Sequence, residues 1–219
     1  MAKIIIFGTG DIAQIAKYYF DIDSPHEVVA FTVDSQYIKE EKFEGLPVYP
    51  FEDIEKKFPP SEYQMFIAIS YRDMNSVREK KFYEAKQKGY NLVSYISSRA
   101  TYLSQYKCGE NCFIFEDNTI QPFVKIEDNV IIWSGNHIGH HSIIHSHNFI
   151  SSHVVISGHC EIEPNCFLGV NSTLAHGVKI ARGTLVGAGA VITKDTEPYS
   201  VYVPAKSIKL DKKSFEFKL

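Results

Sequence analysis

A strict six-residue period runs through the chain from Ile114 to Ile192. Every sixth residue is aliphatic: Ile114, Ile120, Ile126, Ile132, Ile138, Ile144, Ile150, Ile156, Ile162, Leu168, Leu174, Ile180, Val186 and Ile192. The residue two places before each is small or of modest volume: Cys112, Asn118, Val124, Val130, Asn136, Ser142, Asn148, Val154, Cys160, Cys166, Ser172, Val178, Thr184 and Ala190. Residues two apart on an extended strand point to the same side, so each hexapeptide directs one aliphatic and one smaller side chain inward. The 3.6-residue period of an α-helix cannot stay in phase with a strict six.

This period is typical of a hexapeptide β-helix, in which three repeats form one triangular coil of eighteen residues. One coil cannot bury its own inner face, so successive coils must stack on one another. The repeat therefore predicts between four and five stacked coils. An ordinary β-sandwich, with turns every 8–12 residues, does not account for an uninterrupted six-residue period.

The segment before the repeat alternates strands with helices. The predicted strands span residues 3–7, 28–33, 65–70 and 91–96, and the predicted helices span residues 12–20 and 77–88. Alternation with short links predicts a parallel α/β sheet resembling a Rossmann domain. We place the boundary so that residues 1–98 form this domain and residues 99–219 form the β-helix and a C-terminal tail.

A glycine-rich turn follows the first strand. The run Gly8-Thr9-Gly10-Asp11-Ile12-Ala13 fits G-x-G-x-x-A between a strand and a helix, a turn whose backbone amides bind phosphate or pyrophosphate. Asp34 ends the second strand and is a candidate acceptor for ribose or sugar hydroxyls, and Ile69 and Ser70 end the third strand, where ligands of open α/β sheets gather. The alternative is a tight turn without a ligand. An NAD site is disfavoured because the domain is about half the size of a full dinucleotide fold.

Charge and hydropathy restrict the partners and the compartment. The net charge of −3 gives no reason to expect nucleic acid or an anionic membrane as a partner. The N-terminal apolar run is too short for a signal peptide, and no run approaches the ~18 apolar residues of a membrane span. We therefore expect a cytoplasmic protein. The cysteines fall on the inward tracks of the repeat, which predicts buried, inert thiols rather than zinc ligands or disulfides.

Eight of the nine histidines lie between His137 and His176, and none occupies an inward position of the repeat. We expect them at the corners or on the outer faces. Because residues eighteen apart lie above one another, His140, Gly158, His176 and Lys194 form one column. In it, His140 can accept a proton near neutral pH, while the Gly158 backbone can approach a ligand and donate its N–H to an oxyanion.

A catalytic metal of the γ-carbonic-anhydrase type would need three converging imidazoles. His140 and His176 have a suggestive separation, but Ala181 stands where the close partner of His176 would be needed. His140 and His145 form a close pair, yet Ser104 lies thirty-six residues before His140. We therefore predict no metal.

The segments FGTGDIAQ, MFIAIS, NHIGHHSIIH, SGHCEIEPNCFLGVNSTL and GAGAVITKD together resemble those of one family. It is the bacterial sugar O-/N-acyltransferases, which join an N-terminal α/β domain to a left-handed β-helix. The resemblance implies His140 as the general base and Gly158 as the donor to the thioester oxygen. It implies Val170 and Ala188 at the pantetheine arm of acetyl-CoA, and we add Lys194 to the predicted coenzyme residues. It also implies a nucleotide sugar at Gly8 to Asp11, Asp34, Ile69 and Ser70.

The resemblance implies homotrimers with active sites between subunits and an acetyl-CoA-dependent N-acetyltransferase acting on a nucleotide-linked amino-deoxysugar. The chain departs from the family at His141, where relatives often carry an acidic residue that orients the base, so His141 is a second candidate catalytic residue. The alternatives are a sugar O-acetyltransferase of the same fold, a zinc lyase and a non-catalytic nucleotide-binding scaffold.

Overall fold

The N-terminal part is a five-stranded sheet with helices on both faces. The structure is a computed structural model that describes residues 2–209, 211 and 213. The elements of this part are β1 (Lys3–Phe7), α1 (Asp11–Asp23), β2 (Glu27–Val33), a 3₁₀ turn (Ser35–Tyr37), β3 (Lys42–Phe43), β4 (Leu46–Pro50), α2 (Ile54–Lys57), β5 (Tyr63–Ile67) and α3 (Ser76–Gln87). The strand order is β3-β4-β2-β1-β5. β1 runs parallel to β2 and β5, β2 runs parallel to β4, and β3 pairs with β4 in the antiparallel sense.

The continuous apolar run of β1 is explained by burial on both faces. Ile4 and Ile6 join the cluster that contains α1 residues, whereas Ile5 and Phe7 join the cluster that contains residues of α2 and α3. Alternate residues of a strand point to opposite faces, so a strand covered on both sides must be apolar throughout. The predicted parallel α/β sheet is confirmed.

Residues 95–202 form a left-handed β-helix, whose strands are two residues long and fall on three faces. The first face holds β6 (Tyr95–Ile96), β8 (Phe113–Ile114), β11 (Ile131–Ile132), β14 (Phe149–Ile150), β17 (Phe167–Leu168), β20 (Leu185–Val186) and β22 (Val201–Tyr202). The second face holds β7 (Thr101–Tyr102), β9 (Thr119–Ile120), β12 (His137–Ile138), β15 (Val155–Ile156), β18 (Thr173–Leu174) and β21 (Val191–Ile192). The third face holds β10 (Lys125–Ile126), β13 (Ile143–Ile144), β16 (Glu161–Ile162) and β19 (Lys179–Ile180).

The inward tracks of the repeat are buried as predicted. All fourteen aliphatic positions and all fourteen smaller positions lie in the interior. Successive strands of a face pair in parallel with a shift of eighteen residues, as in Ile138 opposite Ile156. Cys112, Cys160 and Cys166 are free and buried, and Cys108 is free and half buried, so the predicted burial holds fully for three of the four thiols.

The corners of the β-helix use left-handed backbone. One residue at nearly every turn has a positive φ, and the residues in these positions include Asn111, Asp117, Phe123, Asn129, His141, His147, His153, His159, Asn165 and Asn171. Asn, Asp and His tolerate this conformation better than most other residues with a side chain. Half of the histidine cluster therefore has a backbone reason to stand at corners, independent of any chemistry.

One apolar cluster contains residues from both parts of the chain. The cluster around α1 includes Phe113, Phe115, Ile131 and Phe149, which project outward from the β-helix. The predicted fourth strand, residues 91–96, is divided between the parts. Leu92 bridges Met65 of β5, whereas Tyr95–Ile96 pairs with β8. Pairing of the β-helix type thus begins before residue 99, and the division into residues 1–98 and 99–219 stays a prediction.

A buried arginine also joins the parts. Arg78 of α3 is fully buried, and burial lowers the pKa of its guanidinium. The guanidinium donates to five acceptors drawn from both parts of the chain: the carbonyl oxygens of Ser70, Asn129, His147 and Asn148, and Asn75 Oδ1. A buried charge is costly unless it is hydrogen-bonded; here both terminal nitrogens have acceptors, whereas Nε has no partner among the described residues. The contacts of the terminal nitrogens hold α3 against the third corner of the β-helix, which follows the strands of the third face.

Over the part of the chain that the structure describes, none of the helices has the length and apolarity needed to span a bilayer.

Candidate functional site

A stack of aromatic rings lies at the second corner of the β-helix, which follows the strands of the second face. His141 and His159 each have a φ of 61° and lie in successive coils. Their rings are parallel to within 8°, with centroids 4.8 Å apart, and the ring of Phe123 lies 4.6 Å from His141 on the coil below. The ring separation matches the ~4.8 Å spacing of hydrogen-bonded strands. The stack is therefore a direct product of the eighteen-residue coil.

His140 lies beside this stack, and its ring covers Gly158. A Cβ added to Gly158 would lie 2.8 Å from both Cε1 and Nε2 of His140. Gly158 is buried although His140 is exposed. The Gly158 carbonyl accepts a hydrogen bond from the Gly177 amide at 3.0 Å. Within residues 2–209, 211 and 213, no group accepts a hydrogen bond from the Gly158 N–H. An imidazole and an unengaged amide donor are thus adjacent.

Two contacts orient His140. Its backbone N–H donates to Gln121 Oε1 at 2.9 Å, and its Nδ1 lies 3.0 Å from His141 Nδ1. One proton is shared by the two Nδ1 atoms. When His140 Nδ1 carries it and His141 accepts, the lone pair of neutral His140 is on Nε2, the atom next to Gly158. This arrangement lets His140 accept a proton at Nε2.

The ring of His159 lies between those of His140 and His176, and its own pKa is lowered. Desolvation, together with the nearby His141, His140 and His176, lowers the pKa of His159. Its ring centroid is 5.1 Å from that of His140 and 5.3 Å from that of His176. Lys194 is exposed and continues the same column.

His147 stands at a corner, as expected. It is nevertheless buried beneath α3, where burial lowers its pKa. Its Nδ1 is 2.8 Å from Asn129 Nδ2, and its Nε2 is 3.3 Å from the Tyr83 hydroxyl. Packing of the N-terminal part over the third corner makes it a structural residue.

Val170 and Ala188 lie at the first corner, away from the histidines. They line a cavity of about 390 Å³ together with residues of the N-terminal part and of the first face: Tyr71, Trp133, Phe149, Ser151, Ser152, Phe167 and Gly169. Tyr71 makes edge contacts with Phe149 and Phe167, each with a centroid distance of 4.9 Å. Within one chain, the predicted coenzyme residues therefore form two groups at different corners.

The glycine-rich turn has the predicted strand–turn–helix form. Gly8 has a φ of 126°, and a Cβ there would meet the Ala68 carbonyl oxygen at 2.8 Å, so glycine is required on steric grounds alone. Gly10 precedes α1, and nothing lies within 4 Å of an added Cβ. The amides of Asp11 and Ile12 have no acceptor among the described residues. An open helix N-terminus with free amides can receive an anion.

A smaller cavity lies beside this turn. It has a volume of about 240 Å³ and is lined by Thr9, Ile38, Lys39, Glu40, Lys42, Phe43 and Val48. The two lysines bring positive charge near the free amides of α1. Sequence reasoning missed them because no motif marks the segment.

Asp34 is not the free acceptor that the sequence suggested. Lys81 of α3 donates to Asp34 Oδ1 at 2.6 Å and also to Glu84 Oε2 at 2.6 Å. Burial alone would lower the pKa of Lys81, but these hydrogen bonds outweigh it and raise the pKa. Ile69 and Ser70 follow β5 as predicted, and the Ser70 carbonyl is engaged by Arg78. Their assigned contact with a sugar stays a prediction.

Sequence reasoning also passed over the aromatic wall of the first corner. Phe149 and Phe167 occupy equivalent outward positions one coil apart, and their rings lie at 11° with centroids 5.4 Å apart. The eighteen-residue spacing of outward aromatic residues is the signal that could have identified them. Tyr71, which completes the wall, comes from the N-terminal part and has no such signal.

Comparison with known proteins agrees with this architecture. Residues 123–158 and 159–194 match the profile of the bacterial transferase hexapeptide family (six repeats). The acetyltransferase domain of PglB from Neisseria gonorrhoeae FA1090 superposes with a TM-score of 0.79 at 19% identity, covering 95% of this chain and 100% of that one. PerB from Caulobacter crescentus, in complex with CoA and GDP-perosamine, superposes with a TM-score of 0.62 at 21% identity, covering 94% and 97%.

WeeI from Acinetobacter baumannii AYE superposes with a TM-score of 0.57 at 21% identity, covering 92% of this chain and 96% of that one. No curated protein sequence matches the chain significantly.

The fold and the repeat define the class. The chain is a hexapeptide β-helix protein with an N-terminal α/β domain, and residues 123–194 carry bacterial transferase hexapeptide repeats. The similarity to the PglB domain, PerB and WeeI extends over nearly the whole chain. The architecture that the sequence resemblance implied is confirmed.

Proposed function

We propose that the chain is an acetyl-CoA-dependent N-acetyltransferase acting on a nucleotide-linked amino-deoxysugar. The observation that carries the proposal is the pairing of His140 Nε2 with the unengaged N–H of Gly158 at a β-helix corner. Acyl transfer from a thioester needs a proton acceptor and a hydrogen-bond donor to the oxyanion, both adjacent to the reacting carbonyl group. His140 Nε2 and the Gly158 N–H supply these two groups.

The similar structures support the choice of substrates. The PglB acetyltransferase domain has been solved in complex with acetyl coenzyme A, and PerB in complex with CoA and GDP-perosamine. In the present chain, the free amides at the start of α1 and the lysines of the adjacent cavity fit the phosphates of a nucleotide sugar.

The reaction needs no covalent enzyme intermediate. The sugar amine attacks the thioester carbonyl, forming the new C–N bond, and the carbonyl oxygen takes the negative charge. The Gly158 N–H donates to that oxyanion, which is worth ~2.7–4 kcal/mol in comparable holes. His140 Nε2 accepts the proton that the amine sheds. The C–S bond then breaks, and His140 returns the proton to the departing thiolate.

His141 supports the base in this scheme. When His140 Nδ1 donates to His141 Nδ1, protonation at Nε2 gives an imidazolium that keeps this hydrogen bond. His141 stands where the family that the sequence resembles often has an acidic residue, and it orients the ring without supplying a negative charge.

The separation of the two corners supports an active site shared between chains. The histidine pair is at the second corner, while the cavity lined by Val170, Ala188 and Tyr71 is at the first. A homotrimer, in which the second corner of one chain meets the first corner of its neighbour, would unite them. Sedimentation equilibrium of the full chain tests this assembly directly.

The function is tested by measuring thiol release from acetyl-CoA in the presence of UDP-, dTDP- and GDP-linked amino sugars. Each is assayed beside the sugar with a hydroxyl in place of the amine, which separates N- from O-acetylation. Release that depends on an amino sugar supports the proposal. Absence of release with every acceptor would contradict it.

The role of His140 is tested by His140→Ala. We expect kcat to fall by ~10²–10⁴ while binding of acetyl-CoA, measured calorimetrically, is largely kept. His145→Ala is the matched control, since His145 lies at the third corner, away from both corners that the proposed shared active site would unite. Near-normal turnover by His140→Ala would remove it from the role.

A further inference from the structure

Three imidazoles converge at the second corner. Nitrogen atoms of His140, His141 and His159 all lie within 4.8 Å of one another, and all three residues are exposed. His140 Nδ1 and His141 Nδ1 are already 3.0 Å apart. We propose that these three side chains form a binding site for one divalent transition-metal ion, with Zn²⁺ as the representative ion.

The distances are close to those of a histidine-bound metal. Zn–N bonds of ~2.0–2.1 Å in a tetrahedral site place ligand atoms about 3.4 Å apart. The exposed rings can reach this spacing by small rotations within their rotamer wells. The set differs from those considered in the sequence, which paired His140 with His176 or His145. The set of His140, His141 and His159 follows from the corner geometry, which places His141 beneath His159 in the next coil.

The chemistry of the donors selects the ion. Neutral imidazole suits Zn²⁺, Cu²⁺ and Ni²⁺, whereas Mg²⁺ prefers oxygen ligands. The side chains of His140 and His141 are joined to each other by their Nδ1 contact, and their shared proton is displaced when the metal binds.

Occupation of this site would act on catalysis, a consequence that rests on the proposed function. A neutral imidazole has one nitrogen lone pair, and a metal that takes it leaves the other nitrogen protonated. His140 could then accept no proton from the attacking amine. The metal would therefore be a reversible inhibitor rather than a cofactor.

Binding is tested first, without any activity assay. Tag-free full-length protein, freed of metal by a chelator, is dialysed against Zn²⁺ or Mg²⁺, and bound metal is counted by elemental analysis. We expect one Zn²⁺ and no Mg²⁺ per chain. His159→Gln and His141→Gln should each weaken Zn²⁺ binding by more than about 10-fold, because loss of a ligand costs at least as much as loss of its supporting hydrogen bond. His145→Gln, at the third corner, is the matched control and should bind Zn²⁺ as the wild type does.

Substitution of Co²⁺ gives a second readout, since its visible absorption bands report nitrogen coordination in a low-coordinate site. Absence of retained Zn²⁺ would overturn the proposal, as would binding that persists in His159→Gln or that falls equally in His145→Gln. Inhibition of acetyl transfer is then measured for each variant against its own metal-free rate. Metal binding without acetyl transfer to any acceptor would refute the proposed function alone. Transfer without metal binding would refute only the metal site.

Discussion

Replacement of Gly158 by alanine is a sharp test of the pairing between amide and imidazole. The added Cβ would lie 2.8 Å from Cε1 and Nε2 of His140, whereas non-bonded carbon atoms rest ~3.5–4.0 Å apart. The ring must therefore retreat by roughly 1 Å. Gly158 is not among the residues with positive φ, so alanine introduces no backbone strain of its own.

The cost should appear in activity and hardly in stability. His140 is exposed, and rotation of an exposed ring costs about 1 kcal/mol or less. A misplacement of 1 Å at a reacting group lowers the rate by ~10²-fold. Obstruction of the amide donor brings the expected loss in kcat/KM to ~10²–10³, or about 2.7–4 kcal/mol.

The assay measures thiol release from acetyl-CoA with whichever nucleotide-linked amino sugar proves to be the acceptor. It is run on Gly158→Ala, His140→Ala and the double variant. Once the ring is absent, the methyl group has room, so Gly158→Ala should lower the residual rate of His140→Ala by less than about 10-fold. Thermal unfolding of each variant checks that the fold is intact. A Gly158→Ala enzyme within a few-fold of the wild-type rate, or equal losses in both backgrounds, would refute the reasoning.

Three further predictions concern stability and thiol chemistry. Arg78→Met removes the guanidinium donor from the buried carbonyl oxygens of Asn129 and His147 and from the part-buried carbonyl of Ser70, while the Asn148 carbonyl keeps the Ile131 N–H as donor. It should lower the free energy of unfolding in urea by ~3–5 kcal/mol; a loss below 1 kcal/mol would show that the Arg78 hydrogen bonds are dispensable. Burial opposes charging of His145, but its 3.0 Å contacts with Glu161 and Glu127 outweigh this effect and raise its pKa. This stabilisation is complete below pH ~6.5 and disappears as pH rises through the raised pKa. The melting-temperature advantage of the wild type over His145→Gln should therefore be larger at pH 5.5 than at pH 8.5, and equal advantages would contradict it. Of the four thiols, only Cys108 is partly accessible, so a thiol reagent should label one cysteine in the native protein and four after denaturation, with mass spectrometry identifying the site.

The inward tracks show how much of the fold is local information. Each hexapeptide places one aliphatic and one smaller residue inward, so the period alone predicted the twenty-eight inward positions from Cys112 to Ile192, all of which are buried. The column of His140 and Gly158 followed from the same arithmetic, because eighteen residues separate equivalent points of adjacent coils. Nothing beyond the coil length was needed to place the imidazole against the glycine.

The contacts between separate elements could not be predicted from the eighteen-residue spacing of the coils. α3 buries His147 through residues that have no periodic relation to it. The pairing of Lys81 with Asp34, which lies within the N-terminal part, has no periodic basis either. The sequence marks Phe113 and Phe149 as outward-pointing, yet it does not say that α1 and the sheet will cover them. These positions depend on how one part packs against the other.

The sequence by itself determined the β-helix, its interior, the α/β character of the N-terminal part and the candidate base, because each is encoded in a short repeat or a strand–turn–helix motif. Tertiary structure alone decided which corner histidine is buried beneath α3 and which acidic groups are paired. The physical reason is that a period specifies neighbours within a coil and along a column, whereas side-chain pairing across separate elements depends on the packing of the whole chain.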